Sequence, residues 1–286
     1  MGAAAPHIGS SFLCERRTVC FGSAWCELGV IVASLGLLAS ISGAAAAGTP
    51  AKASVVYNST IANGPRSNLP SVGAEAYAFS ELGNQITLAG TARNLTSVTV
   101  TMSSWACVTG SWNGGDCSTP TGATFAQPIT LNIYGVGDPV NPIATATQTF
   151  NIPYRPSASS KCTGADVGKW YQTSSKTCFN GLASDVTFSF SGVTLPDTTL
   201  VYGIVYNTRD FGPSPTGVTG PYDSLNIALS TDADVSAGSS TSGTVWQNSP
   251  YGGAYCDGGL AGTGTFRADA GCWAPYVPAV QFKASK

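Results

Sequence analysis

Apolar and polar residues alternate one for one in stretch after stretch of this chain. Val98, Val100 and Met102 alternate with Thr99 and Thr101, and Ile129, Leu131 and Ile133 with Thr130 and Asn132. Val186, Phe188 and Phe190 alternate with Thr187 and Ser189, and Leu225, Ile227 and Leu229 with Asn226 and Ala228. A period of two puts successive side chains on opposite faces of a strand, one facing a core and the other water. Thr199–Tyr206 (TLVYGIVY) is instead almost continuously apolar, the pattern of a central strand covered on both faces. Further strands are expected at 54–58, 74–80, 85–89, 144–152 and 279–283, with Gly90, Pro120, Pro139, Pro153, Pro196 and Pro213 at the breaks. Many short strands separated by turn residues predict an all-β chain, and the preferred architecture is a jelly-roll-like, two-sheet antiparallel sandwich with disulfide-stapled loops.

The N-terminal region reads differently. Leu28–Ile41 is apolar and too short for a confident membrane span. Arg16 and Arg17 precede it and the small-residue run Ser42–Ala47 follows, the order of a secretory signal peptide over 1–47. Arg16-Arg17 also opens a twin-arginine reading, to which Thr18-Val19-Cys20 is a weak match; an uncleaved membrane anchor is the other alternative. Cleavage near Ala47 leaves 239 of 286 residues, enough for a single β-sandwich domain over 48–286. The Ser- and Gly-rich stretch 231–243 (TDADVSAGSSTSG) reads as a flexible loop or linker within it. The expected location is therefore secreted and extracellular.

Only 10% of residues are charged, the net charge is −2, and no basic run occurs. Nucleic acid is not an expected partner, nor is a membrane after cleavage. The sequence leaves the partner unknown, with cell-wall or extracellular polysaccharide as the candidate class.

Cys14, Cys20 and Cys26 fall in the leader, and the other six cysteines lie in three close pairs: Cys107 with Cys117, Cys162 with Cys178, and Cys256 with Cys272. Six cysteines allow fifteen connectivities, and cross-pairing stays open. Local pairing is the expectation, because the bracketed segments are rich in turn residues; each bridge would remove about 2.5–3 kcal/mol of loop entropy from the unfolded chain. No Cys-x-x-Cys occurs, and the only histidine, His7, lies in the leader. Neither a zinc site nor a histidine-based catalytic triad is expected.

The remaining catalytic option is a carboxylate pair, since glycoside hydrolysis needs only two. The mature chain has two glutamates, Glu75 and Glu81. On one unbroken strand they would share a face but lie about 20 Å apart, so a non-catalytic protein is preferred. Cofactors are not expected; structural Ca²⁺ on Asp232, Asp234 and Asp257 is the minor alternative. Trp105, Trp112, Trp170 and Tyr171 lie on or beside the cysteine loops and are the candidate glycan-stacking residues; the competing reading packs them over the bridges.

Several segments resemble one another's counterparts in a known group: Ser103-Ser104-Trp105, Phe150–Pro156 (FNIPYRP), Leu195-Pro196-Asp197, Tyr202–Thr208 (YGIVYNT) and Tyr276–Phe282 (YVPAVQF). On these the chain is similar to an uncharacterised family of secreted, actinobacterial β-rich proteins, some with a cell-wall anchor. The resemblance spans 54–286 and implies no known activity, so no functional residue is carried over. The end, Ala284-Ser285-Lys286, has no sorting motif, which implies a released protein. The expected role is thus surface, structural or adhesive, with a carbohydrate-binding module and a carboxylate-dependent glycan-active enzyme as alternatives.

Overall fold

Sixteen strands are assigned in the computed structural model, which describes residues 52–61, 69–74, 79–195, 198–206, 225–241, 243–248, 265–271 and 273–286. They are β1 (Ser54–Asn58), β2 (Ser71–Gly73), β3 (Glu81–Thr87), β4 (Asn94–Ser104), β5 (Thr124–Tyr134), β6 (Ala144–Pro153), β7 (Trp170–Gln172) and β8 (Thr177–Phe179). The second half supplies β9 (Leu182–Thr194), β10 (Thr199–Val205), β11 (Leu225–Thr231), β12 (Ser239–Ser240), β13 (Val245–Asn248), β14 (Arg267–Asp269), β15 (Tyr276–Pro278) and β16 (Val280–Ser285). The chain divides into two compact units, Met1–Gly48 and Thr49–Lys286, and the described residues belong to the second.

Two large antiparallel sheets pack together. One is built on β4, which pairs along its whole length with β9. Two strands share its other edge end to end: β11 covers Met102–Ser104 and β16 covers Asn94–Val100. They meet at Ala279, whose carbonyl accepts from the Thr101 N–H and whose own N–H donates to the Ala228 carbonyl. The second sheet has the order β14-β13-β3-β10-β5-β6, with β12 also on β3. The chain crosses repeatedly from sheet to sheet, with β3, β5, β6 and β10 in one and β4, β9 and β11 in the other. This is the wound, two-sheet sandwich that the alternating pattern predicts.

Period-two burial carries the core. Val98, Val100 and Met102 from one sheet meet Ile129, Leu131, Ile133, Leu200, Tyr202 and Ile204 from the other. β10 is buried on both faces as its apolar run requires: Val201 lies on the opposite side from Tyr202, in a satellite cluster with Tyr134 and Phe266. β5 runs straight through Pro128, which lacks an N–H to donate. The strand tolerates it because β10 stops pairing at Thr130, leaving only β6 opposite Pro128.

Some expectations need correction. Of the strand expected at 74–80, the described residues Ala74, Phe79 and Ser80 lie outside any strand: β2 ends at Gly73, residues 75–78 lie outside the described set, and pairing resumes at Glu81. The strand expected at 85–89 begins four residues earlier, because Gly83 and buried Asn84 interrupt the apolar alternation without interrupting the hydrogen bonds. Gly83 pairs with Gly203. A Cβ on Gly83 would collide with the Tyr202 carbonyl, and one on Gly203 with the Glu81 carboxylate, so close strand approach explains both glycines. Described residues of the segment 231–243 are held to the sandwich at several points. Thr231 and Asp234 close a capping box on the 3-10 turn Asp232–Asp234, Ala237 bridges to Asn58, and β12 pairs with β3.

Candidate binding groove

Two of the three expected disulfides lie within the described residues, and both are local. Cys107–Cys117 and Cys162–Cys178 have Cα separations of 5.4 and 5.9 Å, inside the usual range for a bridge. Cys256 and Cys272 lie outside the described residues.

The bridged loops border an open groove of about 640 Å³. One wall is the turn after Cys117. Its Ala123 N–H donates to the Pro120 carbonyl, and Gly122, at φ +79°, supplies the left-handed position such a turn demands. The other wall is the segment following β6, from Pro153 to Ser160, completed by Tyr171 on β7 and Leu182 at the start of β9.

Hydrogen bonds lace the walls together. Ser157 Oγ accepts from the Thr119 N–H at 2.8 Å and donates to the Thr119 carbonyl at 3.1 Å. The Ala158 N–H reaches the Cys117 carbonyl at 2.8 Å, and the Ser159 N–H reaches the Lys169 carbonyl at 2.9 Å. Tyr154 packs against Phe125 with ring centroids 4.8 Å apart, and Tyr171 carries the Lys161 ammonium 5.0 Å from its ring centre. The lining is hydroxyl-rich and proline-rich, and no carboxylate is part of it.

Between the wall residues Tyr154 and Pro156 lies Arg155, fully buried. Its Nη2 donates to the Gly168 carbonyl at 2.8 Å and its Nε to the Pro156 carbonyl at 3.3 Å, while its backbone N–H donates to Ala106. Nη1 has no partner. Burial brings the guanidinium pKa down to about 10, still protonated at neutral pH. The side chain thus clips the end of β6 to the segment inside the second disulfide loop.

The four aromatic candidates separate. Tyr171 is half-buried and lines the groove. Trp170 is only 5% exposed, donates Nε1–H to the Gly181 carbonyl at 2.8 Å and packs on Phe179. It is a packing residue, because strand alternation turns it inward when Tyr171 faces out. Trp105 and Trp112 are half-buried and spend themselves on each other, edge to face at 4.7 Å, with Trp105 Nε1 donating to Ser103 Oγ. Neither lines the groove. Tyr154, Ser157 and Arg155 were not singled out as site residues by sequence reasoning. Their signal is Pro153-Tyr154-Arg155-Pro156, two prolines holding a tyrosine and an arginine directly after a strand.

The carboxylate candidates do not form a pair among the described residues. Glu75 lies outside them. Glu81 is 8% exposed and receives hydrogen bonds at the same oxygen, Oε1, from Tyr134 Oη at 2.8 Å and Asn132 Nδ2 at 3.1 Å. Burial raises its pKa against the opposing pull of those two donors, and no second carboxylate is among the groups that shift it. Of the calcium candidates, Asp234 is engaged by Thr231, Asp232 accepts from Ser240 at 3.4 Å, and Asp257 lies outside the described residues. Among the described residues no three acidic, histidine or cysteine side chains gather as a metal site would require.

Comparison with family models, with curated proteins and with solved structures finds no match to this chain.

Proposed function

We propose that this is an exported, non-catalytic β-sandwich that binds polysaccharide of the cell wall or extracellular matrix through the groove, and so serves an adhesive or structural role. The observation that supports this most directly is the groove itself: open, about 640 Å³, walled by hydroxyls, prolines and the rings of Tyr154 and Tyr171, and free of carboxylates in its lining. Sugar rings present C–H faces to aromatic rings and hydroxyls to polar walls, so this lining matches both surfaces of such a polymer. Hydrolysis of a bound glycan needs an acid at the scissile bond, and the lining offers none.

Export through a cleaved leader completes the reading. The two local disulfides are in keeping with an oxidising compartment. The test is a glycan array and calorimetric titration of the mature, oxidised protein. Binding to at least one wall or matrix polysaccharide is expected, weakened about tenfold by Tyr171→Ala, the loss of one stacking contact worth roughly 1 kcal/mol or more. An array with no bound polysaccharide would overturn the adhesive reading and leave a purely structural one.

A further inference from the structure

We infer that the polymer the groove takes is anionic, a polysaccharide carrying carboxylate or phosphate groups. The inference rests on the groove being the binding site and adds the charge of its ligand. Three observations support it.

The first is Arg155. A fully buried guanidinium is expensive to desolvate and is ordinarily found opposite a carboxylate. Here its hydrogen bonds go to neutral carbonyls, Nη1 has no partner, and no carboxylate is within ion-pair reach among the described residues. Its charge is uncompensated, and it sits in the chain between two residues of the groove wall, Tyr154 and Pro156. Low dielectric around it lets its field reach further than that of a solvated cation.

The second is Lys161. It lies 5.0 Å over Tyr171, a wall residue, and is itself exposed. Held on an aromatic face at the groove, an exposed ammonium is placed to meet a charged group on a ligand stacked nearby.

The third is the fate of neighbouring negative charge. The disulfide loops carry two carboxylates, and both are engaged elsewhere. Asp166 pairs with Lys169 at 2.7 Å, and Asp116 accepts from the Ser111 N–H at 2.8 Å. The groove lining contributes no anion of its own. Lys161, over the wall residue Tyr171, and buried Arg155, between the wall residues Tyr154 and Pro156 in the chain, thus stand beside a lining that itself carries no charged side chain. A neutral glycan would offer the exposed Lys161 ammonium no charged partner.

The experiment uses the mature, oxidised protein against three polymers: a polyuronate, a poly(glycerol phosphate) and an uncharged glucan, each by isothermal titration at low and high salt. Binding to one or both anionic polymers is expected, at least tenfold tighter than to the glucan. It should weaken markedly as ionic strength rises from about 0.05 to 0.5 M, where the screening length falls from roughly 14 to 4 Å. Preference between the two anionic polymers identifies carboxylate or phosphate as the group read. Lys161→Glu, at an exposed position and checked for folding by thermal melt, should weaken anionic binding severalfold more than it changes any glucan binding. Arg155→Met should reduce the charge preference if the variant melts cooperatively; if it does not fold, Lys161→Glu and the salt series decide. Equal affinity for the glucan and the charged polymers, or anionic binding that neither salt nor Lys161→Glu alters, would overturn the inference while keeping the groove as a glycan site. Failure to bind all three, together with an empty glycan array, would remove the groove reading itself.

Discussion

Glu81 shows how a single side chain can make the whole fold sensitive to pH. Its carboxyl is buried on the second sheet, over the bare backbone of Gly203, with both donated hydrogen bonds on one oxygen. Burial raises its pKa in the folded state, so the folded protein holds the proton to higher pH than the unfolded chain does. The stabilisation from this proton is full below the ordinary glutamate range and is lost as pH rises through the raised folded value. Glu81→Gln keeps the shape and the accepting oxygen but cannot ionise. Its melting temperature should exceed that of the parent near neutral pH, and the gap should close as pH falls below about 4, where the parent carboxyl becomes protonated in both states. A variant less stable than the parent at neutral pH would mean that Tyr134 and Asn132 favour the ionised form by more than burial opposes it. At this scale the sequence was a partial guide. Glu81 stands out as one of two glutamates after residue 47, and Tyr171 as an aromatic inside a cysteine loop. Arg155 does not stand out, because an arginine reads as a surface residue until packing shows that Gly168 and Pro156 supply carbonyls to bury it.

At the scale of the element, what the sequence displays is period and what it hides is pairing. β4, β5, β9, β10 and β11 were legible because their alternating or continuous apolar residues face one shared core. β3 was legible only in part, since Gly83 answers to a cross-strand neighbour that no local pattern contains. Gly83→Ala should therefore be costly out of proportion to one methyl group: its Cβ meets the Tyr202 carbonyl, and backbone on two paired strands must separate. We expect a loss of about 3 kcal/mol or more, at the upper end of overpacking costs, measured by urea denaturation. A change within 0.5 kcal/mol, the scale of ordinary surface substitutions, would show that β3 and β10 slide apart freely. The disulfides act on elements in a different way, through the unfolded chain. Cys162 and Cys178 are 16 residues apart and their bridge spans the β7–β8 hairpin, which also contains the buried Trp170. Replacing both by serine should cost about 3 kcal/mol by the loop-entropy argument. The same change should loosen Tyr171, so polysaccharide binding should fall along with stability, whereas replacing Cys107 and Cys117 should act chiefly through the Thr119–Ser157 wall.

For the whole molecule, the governing fact is that, among the described residues, the first strand closes on the last. β1 pairs with β16, Ser54 opposite Ala284, and β16 in turn pairs with β4 in the middle of the first sheet. The alternating pattern predicts that such strands exist; it cannot predict this partnership, because nothing local in residues 54–58 refers to residues 280–285. The consequence for an exported chain is direct. A leader cleaved near Ala47, as proposed, leaves β1 almost at the new N-terminus, and β1 has no strand partner but β16 among the described residues. If the chain is exported N-terminus first, as proposed, the β1–β16 pair forms only once residues 280–285 have followed. β16 should then be indispensable even though it is short. It buries Val280, Phe282 and Ala284 completely, and loss of the phenyl group alone is worth about 3–5 kcal/mol, against a total stability of about 5–15 kcal/mol for a typical domain. Its removal also exposes an edge of β4 and strands β1. A chain ending at Ala279 should show no cooperative unfolding transition by circular dichroism or tryptophan fluorescence, while Phe282→Ala should fold with a lowered midpoint. A truncated chain that still melts in one sharp transition would show that β4, β9 and β11 hold the first sheet without the strand that ties its two ends.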